Sequence, residues 1–496
     1  MSDSDEAPPT GYTNKHQNRV LITVLVYISL LFDNILLTVI VPILPDYLAK
    51  INNGSASPTL PSIAGKNEGL HLVTGIFTKP PRIPGNSSIN FTIGSTPLSK
   101  EVYTDDILEG ENSSIGLLLA MKALVQLIFN PIVGNYSAKI GYRIPIVVGT
   151  VSLLVSSLVF GIGETYVTLL IARALQGIGS ACIGVCGMSL IAQLYPEDDL
   201  RSKVMGITLG SIALGVLLGY PFGGILYDFM GKSAPFNILS SLIFIILIIQ
   251  LMVIDFKEEK KDNINPETAK EVQSKYGPLL KNKLILAIVT AIWISTSTMA
   301  ILEPCLPIWL LAHLKPKKWQ LGTVFIPDSL GYFVGTNFFG SIAYNFGQIK
   351  SSCFSLILIG LSCIFIPAAT TVPHLLLPHF CLGLGIGIVD AALVPLLASL
   401  VDANMRSDAS SDSSYGTVYA IQQTSVSLAY SVAPLLGGEL AESIGFPSLM
   451  IFIGILNIIY GPVLVEVFKR NRRSLNDEIL LQASNVSNYK TLEDLP

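Results

Sequence analysis

The sequence predicts an all-α membrane protein: twelve transmembrane helices in two six-helix, pseudo-symmetric halves. Three observations predict it. Half of the 496 residues are hydrophobic and only 13% are charged, with a mean hydropathy of +0.58, whereas a soluble domain carries about twice that charge fraction. Twelve apolar runs approach the length of about 20 residues that a spanning helix needs. Glycine and proline patterns recur at matching places in the two parts of the chain. This composition excludes a soluble enzyme, and a net charge of −4 from 31 bases and 35 acids excludes a basic nucleic-acid binder. All six cysteines (Cys182, Cys186, Cys305, Cys353, Cys363 and Cys381) fall in apolar stretches and imply no disulfide framework. No metal and no cofactor is called for.

The chain begins with a polar tail, 1–19, followed at Val20 by an apolar run with no cleavage site, so the first helix itself targets the membrane. Apolar length and Gly/Pro/charge punctuation place spans near 20–47, 115–135, 144–163, 167–191, 204–229 and 235–254, which form the N-terminal half, 20–254. A charged linker, 255–283, opens with KEEKKD. The C-terminal half, 284–468, holds spans near 284–311, 320–345, 351–369, 374–401, 416–440 and 446–468, and a tail, 469–496, closes the chain. An even number of spans puts both termini on one side.

Short loops decide which side. Lys139, Arg143, Arg201, Lys203, Lys350, Arg406 and the Lys469/Arg470/Arg472/Arg473 cluster share the face of the termini, which the positive-inside rule makes cytoplasmic. Loops near Glu164 and Thr371 lack Lys and Arg; Lys315, Lys317 and Lys318 run against the rule. The long loop 50–114 then lies on the non-cytoplasmic side. Rich in Pro, Ser, Gly and Thr, it carries glycosylation sequons at Asn53, Asn86, Asn90 and Asn112 and reads as disordered. Sequons at Asn135 and Asn485 fall on the cytoplasmic side and are expected to stay bare.

The halves repeat. Gly134 and Gly141 end span 2 at the spacing of Gly340 and Gly347 in span 8; Gly177/Gly179 in span 4 match Gly383/Gly385 in span 10; Pro221/Gly223/Gly224 in span 5 match Pro434/Gly437/Gly438 in span 11. One pair would mean only close helix packing. Three matched pairs indicate duplicated six-helix units, the architecture of a rocking transporter with its site at the midplane.

Charges at mid-bilayer are expensive and therefore functional candidates. Asp33, Lys122, Arg173, Glu303 and Asp390 lie within apolar spans. A static ion pair fixing helix register is the competing reading, strongest for Arg173, which has Gln176 at helical spacing. Lys122 reads either as a static partner of Asp33 or as a switch that releases the carboxylate when a proton or cation arrives. Three acids exceed the structural partners available. Span 1 carries Asp33 ahead of Pro42 and Pro45, and span 7 carries Glu303 beside Pro304 and Pro307, so both bring an acid to a proline-weakened helix. Acids with nearby aromatic candidates Tyr332, Tyr430 and Trp309 suggest an organic cation.

The stretches LFDNILLTVIVPILPDYL, IGLLLAMKALVQLIFNPIVGNYSAKIGYRIPI, LLIARALQGIGS, ILEPCLPIW, KWQLG, VGTNFFG, GIGIVDAALVP and YGTVYAI resemble the vesicular amine transporters of the major facilitator superfamily, the monoamine branch more than the acetylcholine branch. The resemblance covers 20–48 and 115–468. It implies that Asp33 binds the protonated amine with Asn34 beside it, and that Lys122, Gln126, Arg173 and Gln176 form a polar network controlling access. Glu303 and Asp390 would take part in substrate binding and proton coupling, with Asp33 a third coupling acid, and Tyr332 and Tyr430 would line and gate the cavity. Gly215 to Gly224, with Tyr220-Pro221, resembles the antiporter signature of span 5. The family implies import of cytosolic amines into acidic secretory or synaptic vesicles in exchange for protons from a vesicular proton pump. An acetylcholine carrier, a broad organic-cation or drug antiporter, and a channel or receptor that only binds amines are the rivals.

The chain departs from the family pattern in several places. Gln423 stands where the pattern has an aspartate, Ala181 and Gly184 replace serines, no luminal cysteine pair is present, and Asp328 is an extra acid read as a helix-end residue facing water. The tail motif DEILLQ, with Leu480-Leu481, resembles an acidic dileucine sorting signal for adaptors, although Asn476 holds its usual acidic position.

Overall fold

The computed structural model describes residues 10–41, 43, 105–254, 276–314, 323–405 and 414–493. Twelve long helices occupy them: α1 (Thr10–Val39), α2 (Asp105–Ile140), α3 (Arg143–Ile162), α4 (Tyr166–Leu194), α5 (Asp198–Met230), α6 (Ser233–Val253), α7 (Lys283–His313), α8 (Ile326–Phe346), α9 (Gln348–Phe365), α10 (Leu376–Met405), α11 (Ser414–Ile444) and α12 (Phe446–Glu493). A short helix, Tyr276–Lys281, precedes α7, whose N-cap Asn282 accepts from the Leu284 and Ile285 amides. Ten of the twelve are long and apolar enough to cross a membrane; α8 and α11 fall short. Large apolar side chains such as Phe229, Phe354 and Phe452 stand exposed on the outside, where hydrocarbon rather than water would meet them.

Proline and glycine set the ends. The first helix stops at Val39, well before the expected 47, and turns through Val41 N–H to Thr38 O and Ile43 N–H to Ile40 O; Pro42 has no N–H to continue the ladder. By contrast α7 runs on as helix through Pro304 and Pro307. Helix α2 extends back to Asp105, into the segment read as disordered loop. Positive-φ glycines Gly141 and Gly347 end α2 and α8, and Gly231 and Gly445 end α5 and α11. Each pair is related by the repeat, and a φ of 80° to 108° there is reached without Cβ strain only by glycine.

The two halves pack alike. In the first, α1 packs on α5 and α6, and α4 on α2 and α3, with α3 also on α6. In the second, α7 packs on α11 and α12, and α10 on α8 and α9, with α9 also on α12. Matched glycines make the matched contacts: a Cβ at Gly177 would sit 2.6 Å from Lys122 O on α2, and Gly383 presses on the Asp328 carbonyl of α8. Buried amides match too. Gln250 of α6 donates to Ser29 Oγ of α1 at 2.8 Å, and Asn457 of α12 donates to Thr298 Oγ1 of α7 at 3.0 Å. Between the halves, α2 packs on α11 and α5 on α8, contacts that the same repeat interchanges. Connections of one to three residues make the helices they join antiparallel, and α1 runs parallel to α5, since Gly215, Gly219 and Gly223 meet Leu31, Ile35 and Val39 in order; the face where odd helices begin and even helices end is here the terminal face.

Candidate functional site

Asp33 lies inside α1 and is 4% exposed. Its Oδ2 accepts from Lys122 Nζ of α2 at 3.2 Å, and its Oδ1 from Ser180 Oγ at 2.7 Å and Gln176 Nε2 at 3.2 Å. Gln176 Nε2 also reaches the Asp33 backbone carbonyl, at 3.1 Å. Residues 173, 176 and 180 of α4 fall three and four apart and so share one helix face. Arg173, fully buried, donates to Gln176 Oε1 at 2.7 Å and to Leu37 O at 3.1 Å, with its guanidinium 5.6 Å from the Phe160 ring centroid. One acid is thus held by a lysine and two neutral donors, with a second cation one layer behind.

Two residues named from the sequence stand apart from this network. Asn34 donates to Leu30 O at 2.8 Å and packs against Gly215 of α5, where an added Cβ would come within 2.7 Å of it. Gln126 is half-buried one turn from Lys122 and makes no hydrogen bond to a described residue. Ser180 completes the carboxylate's shell, and its spacing of four from Gln176 is the sequence signal that places it there.

In the C-terminal half, Tyr332 of α8 donates its hydroxyl to Asp390 Oδ2 of α10 at 2.8 Å. Glu303 of α7 is exposed although it sits mid-helix in an apolar span, a position at which a carboxylate is expected to face the bundle interior rather than hydrocarbon. Tyr430 lies within electrostatic range of Glu303, Asp328 and Asp390, and Tyr220 within range of both Glu303 and Arg173. Trp309 belongs elsewhere: it stacks on His313 and Phe446, ring centroids 5.2 and 5.1 Å away, and packs α7 on α12. Gln423 of α11 crosses to α4, where a Cβ at Gly184 would approach its Cδ to 3.3 Å. The small residue makes room for the longer amide.

The halves are sealed together on the terminal-face side of this site. Arg201 of α5, fully buried, donates to Asp402 Oδ2 of α10 at 2.8 Å and to Ser399 Oγ at 3.0 Å, and pairs with Asp198. Tyr415 of α11 donates to Asp402. Tyr419 donates to Val394 O at 3.1 Å and touches Met205 Sδ at 3.5 Å. On the other seam Asn130 donates to Ser427 Oγ at 3.0 Å, and the Tyr142 hydroxyl accepts from Gly416 N at 3.2 Å. The short helix before α7 adds Tyr276, whose hydroxyl donates to Pro131 O at 2.8 Å beside Gly134. Burial pushes that hydroxyl up to about 12, so it remains a donor at physiological pH. In the sequence Arg201 reads only as a loop charge, although its acidic neighbours Asp198 and Asp199 signal a pairing role.

A bundle of two related six-helix halves, sealed at one face, with paired and unpaired charges at mid-depth, defines a secondary transporter of the alternating-access kind. The chain matches the model of the Major Facilitator Superfamily over residues 23–411. It is 38% identical to the human synaptic vesicular amine transporter over 93% of this chain and 91% of that one. Identity is 36% to the rat chromaffin granule amine transporter, over 92% and 89% of the two chains, and 32% to the rat vesicular acetylcholine transporter, over 93% and 85%. The solved human organic anion transporter TETRAN aligns with a TM-score of 0.67 at 16% identity, over 90% of this chain and 99% of that one, a likeness of fold. The chain belongs to the vesicular amine transporter family of the major facilitator superfamily.

Proposed function

We propose that the protein is a proton-coupled antiporter that loads cytosolic monoamines into acidic secretory or synaptic vesicles. The observation that carries this reading is the buried Lys122–Asp33 pair in one half, set against the acids Glu303 and Asp390 of the other. A carboxylate already holding an ammonium can exchange it for another, and the names of the relatives supply the amine. In this reading the terminal face is cytoplasmic and the structure is closed to it. The substrate ammonium leaves the site as a luminal proton neutralises a C-terminal acid and Lys122 reclaims Asp33. Coupling to protons requires no cofactor; a vesicular proton pump supplies the gradient.

Luminal glycosylation, adaptor binding by the tail and the orientation belong to the same proposal. Asn53, Asn86 and Asn90 lie outside the described residues, as do the side chains of Asn112 and of the dileucine motif. Uptake of labelled serotonin, dopamine, histamine, octopamine or tyramine into proteoliposomes with an acid interior tests the function. Accumulation that collapses with the proton gradient is expected. Acetylcholine or broad drug uptake in place of monoamines would replace the substrate assignment, and gradient-independent amine binding without counterflow would make the protein a receptor or channel.

A further inference from the structure

Asp328 is the charged group that the mechanism above leaves unused. It stands in the first turn of α8, where an acid faces the favourable end of the helix dipole. Yet it does not face water: it is 7% exposed and its Oδ1 has no hydrogen-bond partner. Its carbonyl is wedged against Gly383 of α10, which fixes its position. Tyr332 lies four residues on, on the same helix face, and its hydroxyl meets Asp390. Asp328 therefore sits one turn, about 5.4 Å, further from the terminal face than the root of Tyr332, and Glu303 lies within electrostatic range of it.

Charge is unevenly matched between the halves. Asp33 has Lys122, with Arg173 close by. Among the described residues no lysine or arginine forms an ion pair with Glu303, Asp328 or Asp390, and His379 of α10, one turn before Gly383, is bonded to Val324 O; Asp328 Oδ1 and Asp390 Oδ1 are both buried without a partner. Buried carboxylates in this state call for protons or for a cation. A monoamine brings one charge. No group of three His, Cys, Asp or Glu is close enough to hold a metal ion among the described residues, so the spread of acids suits an extended organic cation. We propose that Asp328, one turn along α8 from Tyr332, forms an ammonium subsite additional to the one at Asp33, beside the Tyr332–Asp390 pair, and that the ligand class it admits is the organic dication, an α,ω-diamine. The inference rests on the amine-transport reading and is tested apart from it.

The test is ligand-induced thermal stabilisation of the purified full-length protein, which needs no transport. It is titrated with α,ω-diaminoalkanes of increasing length and with the ω-hydroxyalkylamine of each length. For one length the diamine should bind roughly tenfold more tightly than its hydroxyl partner, the scale of one hydrogen bond to a charged group. Asp328→Asn should erase that advantage, and Asp328→Glu should keep it while moving the optimum to a shorter diamine. Should the asparagine variant not fold, the wild-type series and the glutamate variant decide. Equal binding of diamine and hydroxyl partner at every length in the wild type, an advantage that survives Asp328→Asn, or an optimum unmoved by Asp328→Glu would each overturn the proposal. Failure of monoamine uptake in proteoliposomes would instead count against the transport function.

Discussion

Lys122 Nζ lies 3.2 Å from Asp33 Oδ2, in a site where both side chains are almost fully buried. The other carboxylate oxygen is taken by Ser180 and Gln176. In this conformation three of the carboxylate's about four acceptor directions are filled, and the remaining one is on Oδ2 beside Lys122, so an incoming ammonium must compete with the lysine. If the ammonium binds at Asp33, the ion pair competes with substrate, and the lysine would have a role in the cycle that a static pair would not have.

Asp33→Asn should abolish amine binding while the protein still folds and sorts, since the amide cannot form the ion pair. Lys122→Ala should impair transport more than binding, because the unpaired acid holds substrate but no longer drives the return. Breaking a buried pair costs about 3–5 kcal/mol. Binding isotherms and uptake rates measured on the same preparations check both, and equal, mild losses for Lys122→Ala would mark a static pair.

Arg201 spans Asp198, Ser399 and Asp402 with a planar fork that a lysine cannot reproduce. Both Arg201→Ala and Arg201→Lys should therefore loosen the terminal-face seal. Hydrogen exchange in the amides of 198–206 and 415–420 should rise at least tenfold, about 1.4 kcal/mol of lost protection. Unchanged protection in the alanine variant would show that Tyr415, Tyr419 and Asn130 hold the face by themselves.

Tyr276→Phe tests the linker's share of that seal. The change deletes one neutral hydrogen bond to Pro131 O, worth about 1 kcal/mol, together with the hydroxyl that lies beside Gly134. Labelling of a cysteine introduced at the α2–α11 seam should accelerate severalfold. No change in labelling would make Tyr276 simple packing.

Coupling should reside in the C-terminal acids, because Gln423 has no proton to give. Glu303→Gln and Asp390→Asn should each abolish gradient-driven accumulation, whereas Gln423→Asp should transport with a shifted pH profile. The aspartate's shorter side chain also withdraws from Gly184, so Gly184→Ser should be better tolerated in that background than in the wild type. The proton-to-amine ratio, from reversal conditions in proteoliposomes, is the decisive number.

Glycans should map to Asn53, Asn86, Asn90 and Asn112 alone. Asn135 is exposed near the end of α2 and would be modified if the terminal face were luminal. A glycan at Asn135 or Asn485, found by mass spectrometry, would reverse the orientation and the direction of transport.

The sequence by itself determined the helix count, the twofold repeat and which charges stand inside apolar spans, because each follows from local rules. Apolar length is set by bilayer thickness, glycine spacing by close helix approach, and a charge inside an apolar run is conspicuous wherever it lies. Tertiary structure decided which charges meet. Asp33, Lys122 and Gln176 are far apart in the chain and are joined only by the packing of α1, α2 and α4. The same packing drew Ser180 in and turned Asn34 away toward α5. Arg201 reads as a solvated loop charge until α10 and α11 bring Asp402 and Tyr415 to it, and Asp328 reads as a wet helix end until Gly383 lets α10 close over it. Whether an ionisable group is paired, orphaned or hydrated depends on neighbours from other helices, and those are fixed by which faces bury together rather than by any pattern along the chain.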